Sequence, residues 1–440
     1  MKKEKNLYRK IYDESGFLPQ YTLIKQKKIY RPTKNVKNVR RIIIVVSILL
    51  FFSLIFHSVA SNGHAHQAEQ KVSDSEIESD LGSNVDDMLG GLDLSKLEDI
   101  LHQFTEKQKE LFGGTSFLQK IKLTISGDMS INFGGFIEFA FYLFGISAMG
   151  FAPLLAAIIA ISLAYNVLSS IKGKFASEST DKVIYFACVG AITVLLLTAT
   201  GVLISQTAST ISVIRNLATT VFPILLTVMT SIGATSSVAV YQPSVAVFSV
   251  TLIELVSMVA LPVFIMSFVF NIVGNLSEGV KLDQLSKFFN SGANWLMGTM
   301  FFLFLAFLSL QGVTASVFDG ISIRTAKFAI SKYIPIIGGY LSEGFNLVMA
   351  GGVLIKNAVG LSTILLLVSA VLPLIINLVA FSLILKLGAA FVEPMGDTKI
   401  PKILSGVSKQ ASILSVVIIA LSFLFFVFLL LIISTGNLML

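Results

Sequence analysis

The chain has 440 residues, 54% of them hydrophobic and only 13% charged, with a mean hydropathy of +0.81. These values lie outside the range of a soluble globular chain and exclude that class. The net charge of +7 conceals an opposition: residues 1–41 carry 13 Lys/Arg against three acids, while residues 61–112 carry 12 acids against four Lys.

The apolar run IIIVVSILLFFSLIF (residues 42–56) divides these two regions. Arg40-Arg41 precedes it and Ser58-Val59-Ala60 follows, the pattern of a secretory signal peptide cleaved after Ala60. A leader of 41 residues is long for a signal, so an uncleaved anchor is the alternative. Basic flanks stay in the cytoplasm, and either reading therefore delivers the following segment outside. Binding of nucleic acid by the basic leader is the minor reading, and no nucleic-acid partner is expected. His64-x-His66 lacks a third ligand at metal-site spacing, so no metal or cofactor is expected. Cys188 is the single cysteine and lies within an uncharged stretch, as a small apolar residue.

Residues 1–60 thus form a basic leader with a signal or anchor, and residues 61–133 an acidic, partly helical extracytoplasmic segment. Within the latter, DSEIESDLGSNVDD holds too few apolar residues for a core. Leu94, Leu97, Ile100, Leu101, Phe104 and Leu111 then recur at helical spacing, predicting one amphipathic helix over 92–112. Its apolar face serves a partner or a membrane surface, or the helix is a solvated spacer.

Residues 134–440 read as a multi-span membrane domain. After Glu138, charge is confined to short clusters between seven uncharged stretches, the shortest, Leu255–Ser277, of 23 residues. A helix crosses a bilayer with about 20. The expected fold is all-α: a polytopic transmembrane bundle of about 6–8 spans, placed near 150–168, 183–205, 217–234, 244–272, 294–312, 361–385 and 411–434. Lys172, Lys174 and Lys182 put one loop in the cytoplasm, and Lys386, Lys399, Lys402 and Lys409 the last loop. Five expected spans lie between them where topology demands an even number. Either 217–234, flanked by Arg215 and interrupted by Pro223, is not a span, or Ile334–Ala358 adds a crossing despite Glu343 and Lys356.

Two features stand out as candidate sites. Glu254 is the only charge between Arg215 and Glu278, and a carboxylate in a span needs a partner or a cavity; Arg215 is that partner by sign. The segment 311–360 is the other. Asp319 reads as the cap of a helix from Gly320 to about Tyr333, with Gly320, Arg324, Lys327 and Ser331 on one face and Ile323, Ala326, Ile330 and Ile334 on another. Pro335 ends this helix, and Gly338, Gly339, Gly351 and Gly352 allow tight turns or close helix contacts. A re-entrant hairpin or a cytoplasmic connector fits that pattern. No GxxxxGK[ST], HExxH or GxSxG motif occurs, so no catalytic residue is assigned.

An ordered series of residues carries a family resemblance. It runs through Ser277-Glu278, Lys281, Leu285, Trp295, Gln311-Gly312, Asp319-Gly320 and Arg324-Thr325-Ala326-Lys327-Phe328. It continues with Ile334-Pro335, Gly338, Lys356-Asn357-Ala358-Val359-Gly360, Glu393-Pro394-x-Gly396-Asp397 and Gly436-Asn437. In this series the chain resembles the stage III sporulation protein AE family over roughly residues 134–440. The resemblance implies a non-enzymatic membrane subunit of a secretion or feeding channel between mother cell and forespore, lying in the mother-cell membrane around the forespore. It also implies other membrane proteins of the stage III sporulation complex as partners, a forespore membrane protein across the intermembrane space, and a YidC-type insertase for biogenesis. A stand-alone secondary transporter and a non-conducting assembly scaffold are the competing readings.

Overall fold

A computed structural model of the chain describes residues 74–129, 133–171, 178–276, 282–333, 338–395 and 399–435. The basic leader and the signal or anchor segment lie outside the described residues, and Ser75–Leu440 forms one compact unit.

Four short helices come first: α1 (Asp74–Gly90), α2 (Ser95–His102), α3 (Glu106–Phe112) and α4 (Phe117–Ile125). The single helix expected over 92–112 is broken at Gln103–Thr105, because Thr105 and Gln108 start a new one. The Thr105 amide donates to Gln108 Oε1 at 2.9 Å, half of a capping box. Ser116 and Gln119 open α4 in the same way, the Gln119 amide donating to Ser116 Oγ at 3.1 Å. Between them Gly113 and Gly114 turn the chain with φ of 98° and 65°, which only glycine adopts without strain. Of the apolar positions predicted for one face, Leu94, Leu97, Ile100, Leu101 and Phe104 are buried and Leu111 is half-buried; Phe112, Phe117 and Ile121 join them.

Long helical rods make up the rest. They are α5 (Phe133–Ile171), α6 (Glu178–Ser231), a composite rod from α7 (Thr235–Ala246) to α8 (Leu261–Leu276), α9 (Asp283–Tyr333), α10 (Gly338–Val392) and α11 (Lys399–Ser434). With 54, 51 and 55 residues, α6, α9 and α10 are each about 75–80 Å long, more than twice the thickness of a hydrocarbon core. The spans expected at 183–205 and 217–234 are therefore one helix. Arg215 does not interrupt it, and Pro223 lies on its exposed side.

Among the described residues, five helices are long and apolar enough to cross a membrane: Gly135–Ser169, Lys182–Ser231, Ile253–Gly274, Gly344–Met395 and Lys399–Ser434. The remaining rod, α9, carries a shorter apolar stretch, Met297–Phe307.

Side-chain contacts fix the direction of each rod. At one end Asn166 on α5 donates to the Met395 carbonyl, Tyr165 meets Tyr185 with ring centroids 5.7 Å apart, and Lys399 Nζ stands 4.8 Å from the Tyr185 centroid. The helix ends that flank the lysine-rich connections after α5 and before α11 thus lie together. Four rods separate them, an even number, as ends that lie together require, and three of the four are long and apolar enough to cross a membrane. At the opposite end, Gly352 of α10 meets Ile232, and Thr435 after α11 meets Tyr241 on α7.

α10 is the hub, packed by α11, α5, α6 and α9, with α3 and α4 against its flank, where Gln108 Nε2 donates to the Ala370 carbonyl at 3.1 Å. Near the lysine-rich end, small polar side chains join the rods: Ser382 bonds Ser408 at 2.9 Å and Ser412 at 2.7 Å, and Gln410 Nε2 donates to the Ser267 carbonyl at 2.7 Å. Farther out, Phe222, Phe248, Phe304, Phe425 and Phe428 stack from four different rods, with centroids as close as 4.6 Å.

The outward face of α6 changes character along its length. From Val183 to Val202 its exposed side chains are mainly Val183, Phe186, Ala187, Ala191, Val194, Leu197 and Val202. From there to its end they are chiefly Ser205, Gln206, Ser209, Ser212, Asn216, Thr219, Thr227, Thr230 and Ser231. The apolar part is about 30 Å long, one bilayer core. On α10 the more exposed of the large apolar residues, Val379, Leu383, Leu387 and Phe391, lie toward the lysine-rich end, with Val348 and Leu354 less exposed toward the other.

Candidate functional site

The polar groups singled out in the sequence gather around the turn that ends α6. Gly233 adopts φ of 84° and closes the helix in the manner of a Schellman cap, the Ala234 amide donating to the Met229 carbonyl at 2.9 Å. α7 then begins at Thr235 with Ala234 before it, a residue without a capping side chain. Asp319 reaches across from α9 and supplies both missing acceptors. The amides of Ser236 and Ser237 donate to its two carboxylate oxygens at 2.8 Å each. Asp319 is only 1% exposed, and a buried carboxylate on a helix N-terminus is satisfied by the orphan amides and by the positive end of the helix dipole.

This corrects the expectation that Asp319 caps its own helix. α9 runs without a break from Asp283 to Tyr333, so no N-terminus exists at Gly320. The re-entrant hairpin is corrected with it: 311–360 comprises the adjoining ends of two helices of about 50 residues, at the end of the bundle opposite the lysine-rich connections. Gly338 and Gly339 lie in the first turn of α10 and not in a tight turn. Arg324 is exposed on α9 while Ile323, 4% exposed, packs on Gly233. Pro335 and the side chain of Lys327 lie outside the described residues.

Arg215 and Glu254 form an ion pair between α6 and the composite rod, each side chain a little over one third exposed. Arg215 lies about 20 Å beyond Val202, on the polar-faced half of α6. Glu254 occupies a single α turn, Ile253–Leu255, with π-helical stretches at Val247–Leu252 and Val256–Ala260 on either side. π-Bulges widen a helix by one residue and recur at functional positions. Arg215 Nε is buried and makes no hydrogen bond, so the guanidinium has donor capacity beyond this pair.

A third polar locus was missed in the sequence. Lys356 on α10 is fully buried and donates to the carbonyl of Thr435, at the C-terminus of α11. The Thr435 hydroxyl and the Tyr241 phenol lie 3.0 Å apart. A cation on the last carbonyls of a helix complements its dipole. The available signal was that Lys356 is the only cation between Lys332 and Lys386. Gly360, one turn farther along α10, lies so close to Ile433 that a β-carbon there would overlap its side chain. Gly360 therefore lets α10 and α11 approach and is not a turn residue.

These loci are helix caps, an ion pair and close helix contacts within an all-helical bundle of rods apolar enough to cross a membrane. The profile of the family described as Stage III sporulation protein AE (spore_III_AE) matches residues 115–436, from the cap of α4 to the end of α11. The chain belongs to that family, and with it to the proteins of sporulation. It is 27% identical over 315 residues to "Stage III sporulation protein AE" of Bacillus subtilis (strain 168), covering 71% of this chain and 79% of that protein. No solved structure matches.

Proposed function

We propose that the chain is a non-enzymatic, multi-pass subunit of the stage III sporulation complex, held in the mother-cell membrane around the forespore and forming part of a secretion or feeding conduit. The rods cross the bilayer at the end that carries the lysine-rich connections, which lie in the cytoplasm. The outer halves of α6, α9 and α10, with α1–α4, stand on the far side as a helical body facing the intermembrane space. A forespore membrane protein meets the complex across that space, and a YidC-type insertase assists biogenesis.

The observation that carries this reading is the change on α6 from an apolar to a polar outward face beyond Val202. A helix wholly in lipid has no use for an exposed file of Ser, Asn and Thr, and one wholly in water none for exposed Val, Phe and Leu. Cysteine accessibility tests it in a Cys188→Ser background. An impermeant maleimide added to intact cells with exposed mother-cell membranes should label Ser209→Cys and Thr230→Cys. It should spare Val194→Cys and Leu197→Cys, and reach Lys402→Cys only after permeabilisation. Labelling of Val194→Cys as fast as Thr230→Cys refutes the placement. For the developmental role, replacing Arg324 and Lys327 together by Ala should lower spore yield at normal protein level. Unchanged yield refutes a function for that part of α9.

A further inference from the structure

The outer end of the bundle carries two surfaces of opposite charge at one height. On α9, Ile321, Arg324, Phe328 and Lys332 recur every three or four residues and share one side of the helix. All four are exposed, Ile321 at 60% and Phe328 at 58%, and Lys332 Nζ stands 5.1 Å from the Phe328 ring centroid. The opposite side of α9, through Ile323, packs on Gly233. Gly233 lies about 45 Å along α6 beyond Val202, where the apolar face ends. The bilayer that holds the chain cannot cover an isoleucine and a phenylalanine at that distance.

The complementary surface lies on the same chain. Asp87 on α1 and Asp99 on α2 are exposed, in a region with eight more acids than lysines, while α3 lies about 27 Å nearer the lysine-rich end, where Gln108 meets Ala370. α1 stands at the height of Gly233, because Val85 and Met88 pack over Gly351 and Gly352, and Gly352 meets Ile232. We infer that the basic, aromatic side of α9 in one copy docks on the acidic α1–α2 surface of the next copy in the same membrane. Two different patches on one chain make a head-to-tail contact, which propagates from copy to copy and closes into a ring when the rotation permits. Charge at the rim sets orientation and approach, while Ile321 and Phe328 supply the apolar contact. This goes beyond the role proposed above and holds whatever the assembly carries.

The test uses the full chain in membranes, with Cys188→Ser throughout. A chain bearing both Thr325→Cys and Asp87→Cys should give a ladder of dimers, trimers and larger species on oxidation. A mixture of two chains, each with one of these cysteines, should give dimers alone. Arg324→Glu with Lys332→Glu should cut cross-linking about tenfold, and Asp99→Lys on the neighbouring chain, which keeps its Asp87→Cys, should restore part of it. Arg324→Gln with Lys332→Gln, read beside a thermal melt, separates loss of contact from loss of fold. Cross-linking no greater than in single-cysteine chains, or insensitive to charge reversal at an unchanged melting temperature, overturns the inference. So does a product that stops at the dimer in the doubly substituted chain. Charge-dependent binding of the intact protein to added anionic vesicles, without cross-linking, would assign the surface to lipid instead.

Discussion

Replacing Asp319 by Ala should release the start of α7 while leaving both its own helix and the Gly233 turn intact. The carboxylate accepts two amide hydrogen bonds of 2.8 Å, and at 1% exposure water cannot replace it. Bonds to a charged group are worth about 1.5–3 kcal/mol each, against which stands the recovered cost of burying the carboxylate. The net loss is about 2–4 kcal/mol, at or above the upper end of measured N-cap substitutions. Asp319→Asn keeps the shape and one acceptor oxygen and should lose about half as much. Adding Ala234→Ser to Asp319→Ala should recover roughly 1 kcal/mol by giving α7 a cap of its own. Thermal melting of the purified protein in detergent and hydrogen exchange of the peptide covering Ser236 and Ser237 read both effects. An Asp319→Ala protein that melts within about 1 °C of the parent, with Ser236 and Ser237 equally protected, refutes the assignment of Asp319 as the cap.

Four further outcomes follow from the other loci. Gly360→Val drives a side chain into Ile433 and should destabilise the protein by about 1–3 kcal/mol, with Ile433→Ala restoring part of the loss in the double variant; melting temperatures decide. Lys356→Ala leaves the Thr435 carbonyl without its buried donor and opens a cavity, so the last turn of α11 should exchange faster and stability fall by about 2–4 kcal/mol. A double-mutant cycle on Arg215→Met and Glu254→Gln should return a coupling of about 1 kcal/mol, as both partners are over one third exposed; a coupling near zero removes the pair as a structural element. Asp93 accepts from Ser95 Oγ at 2.5 Å and from the Ser95 amide at 3.1 Å, which hold its carboxyl below the ordinary carboxylate range. Its contribution to the start of α2 should therefore be complete above the ordinary range and vanish as pH falls through the depressed value, as followed by exchange at Ser95.

Charge-free runs revealed the helices, and the lysine clusters revealed which connections share an end. The sequence did not reveal where one helix stops. Residues 217–234 are apolar because Phe222 and its neighbours pack against Phe248, Phe425 and Phe428, yet their composition matches that of a lipid-facing span. Only the identity of the exposed side chains separates the two cases, and exposure is a property of the packed bundle. Glu254 and Arg215 stood out by sign, and the structure puts them in contact. Asp319 was legible as a capping residue, but its recipient was not, because α7 lies some 80 positions away in the chain. Lys356 was masked by its apolar neighbours and by the usual expectation that lysine is solvated.

The aromatic cluster of Phe222, Phe248, Phe304, Phe425 and Phe428 also bears on how a cell builds this chain. As α6 leaves the ribosome, its second half carries Arg215 as its one charge, too little to tell the insertion machinery that it belongs in water. The partners that shelter it arrive later: Phe248 with the composite rod, Phe304 with α9, and Phe425 and Phe428 only with α11. Until then a greasy segment long enough to enter the bilayer must be kept from doing so. Truncating the chain before α11 should thus leave residues 217–234 stranded in lipid, and a nascent protein of this design depends on being escorted until its last helix is made.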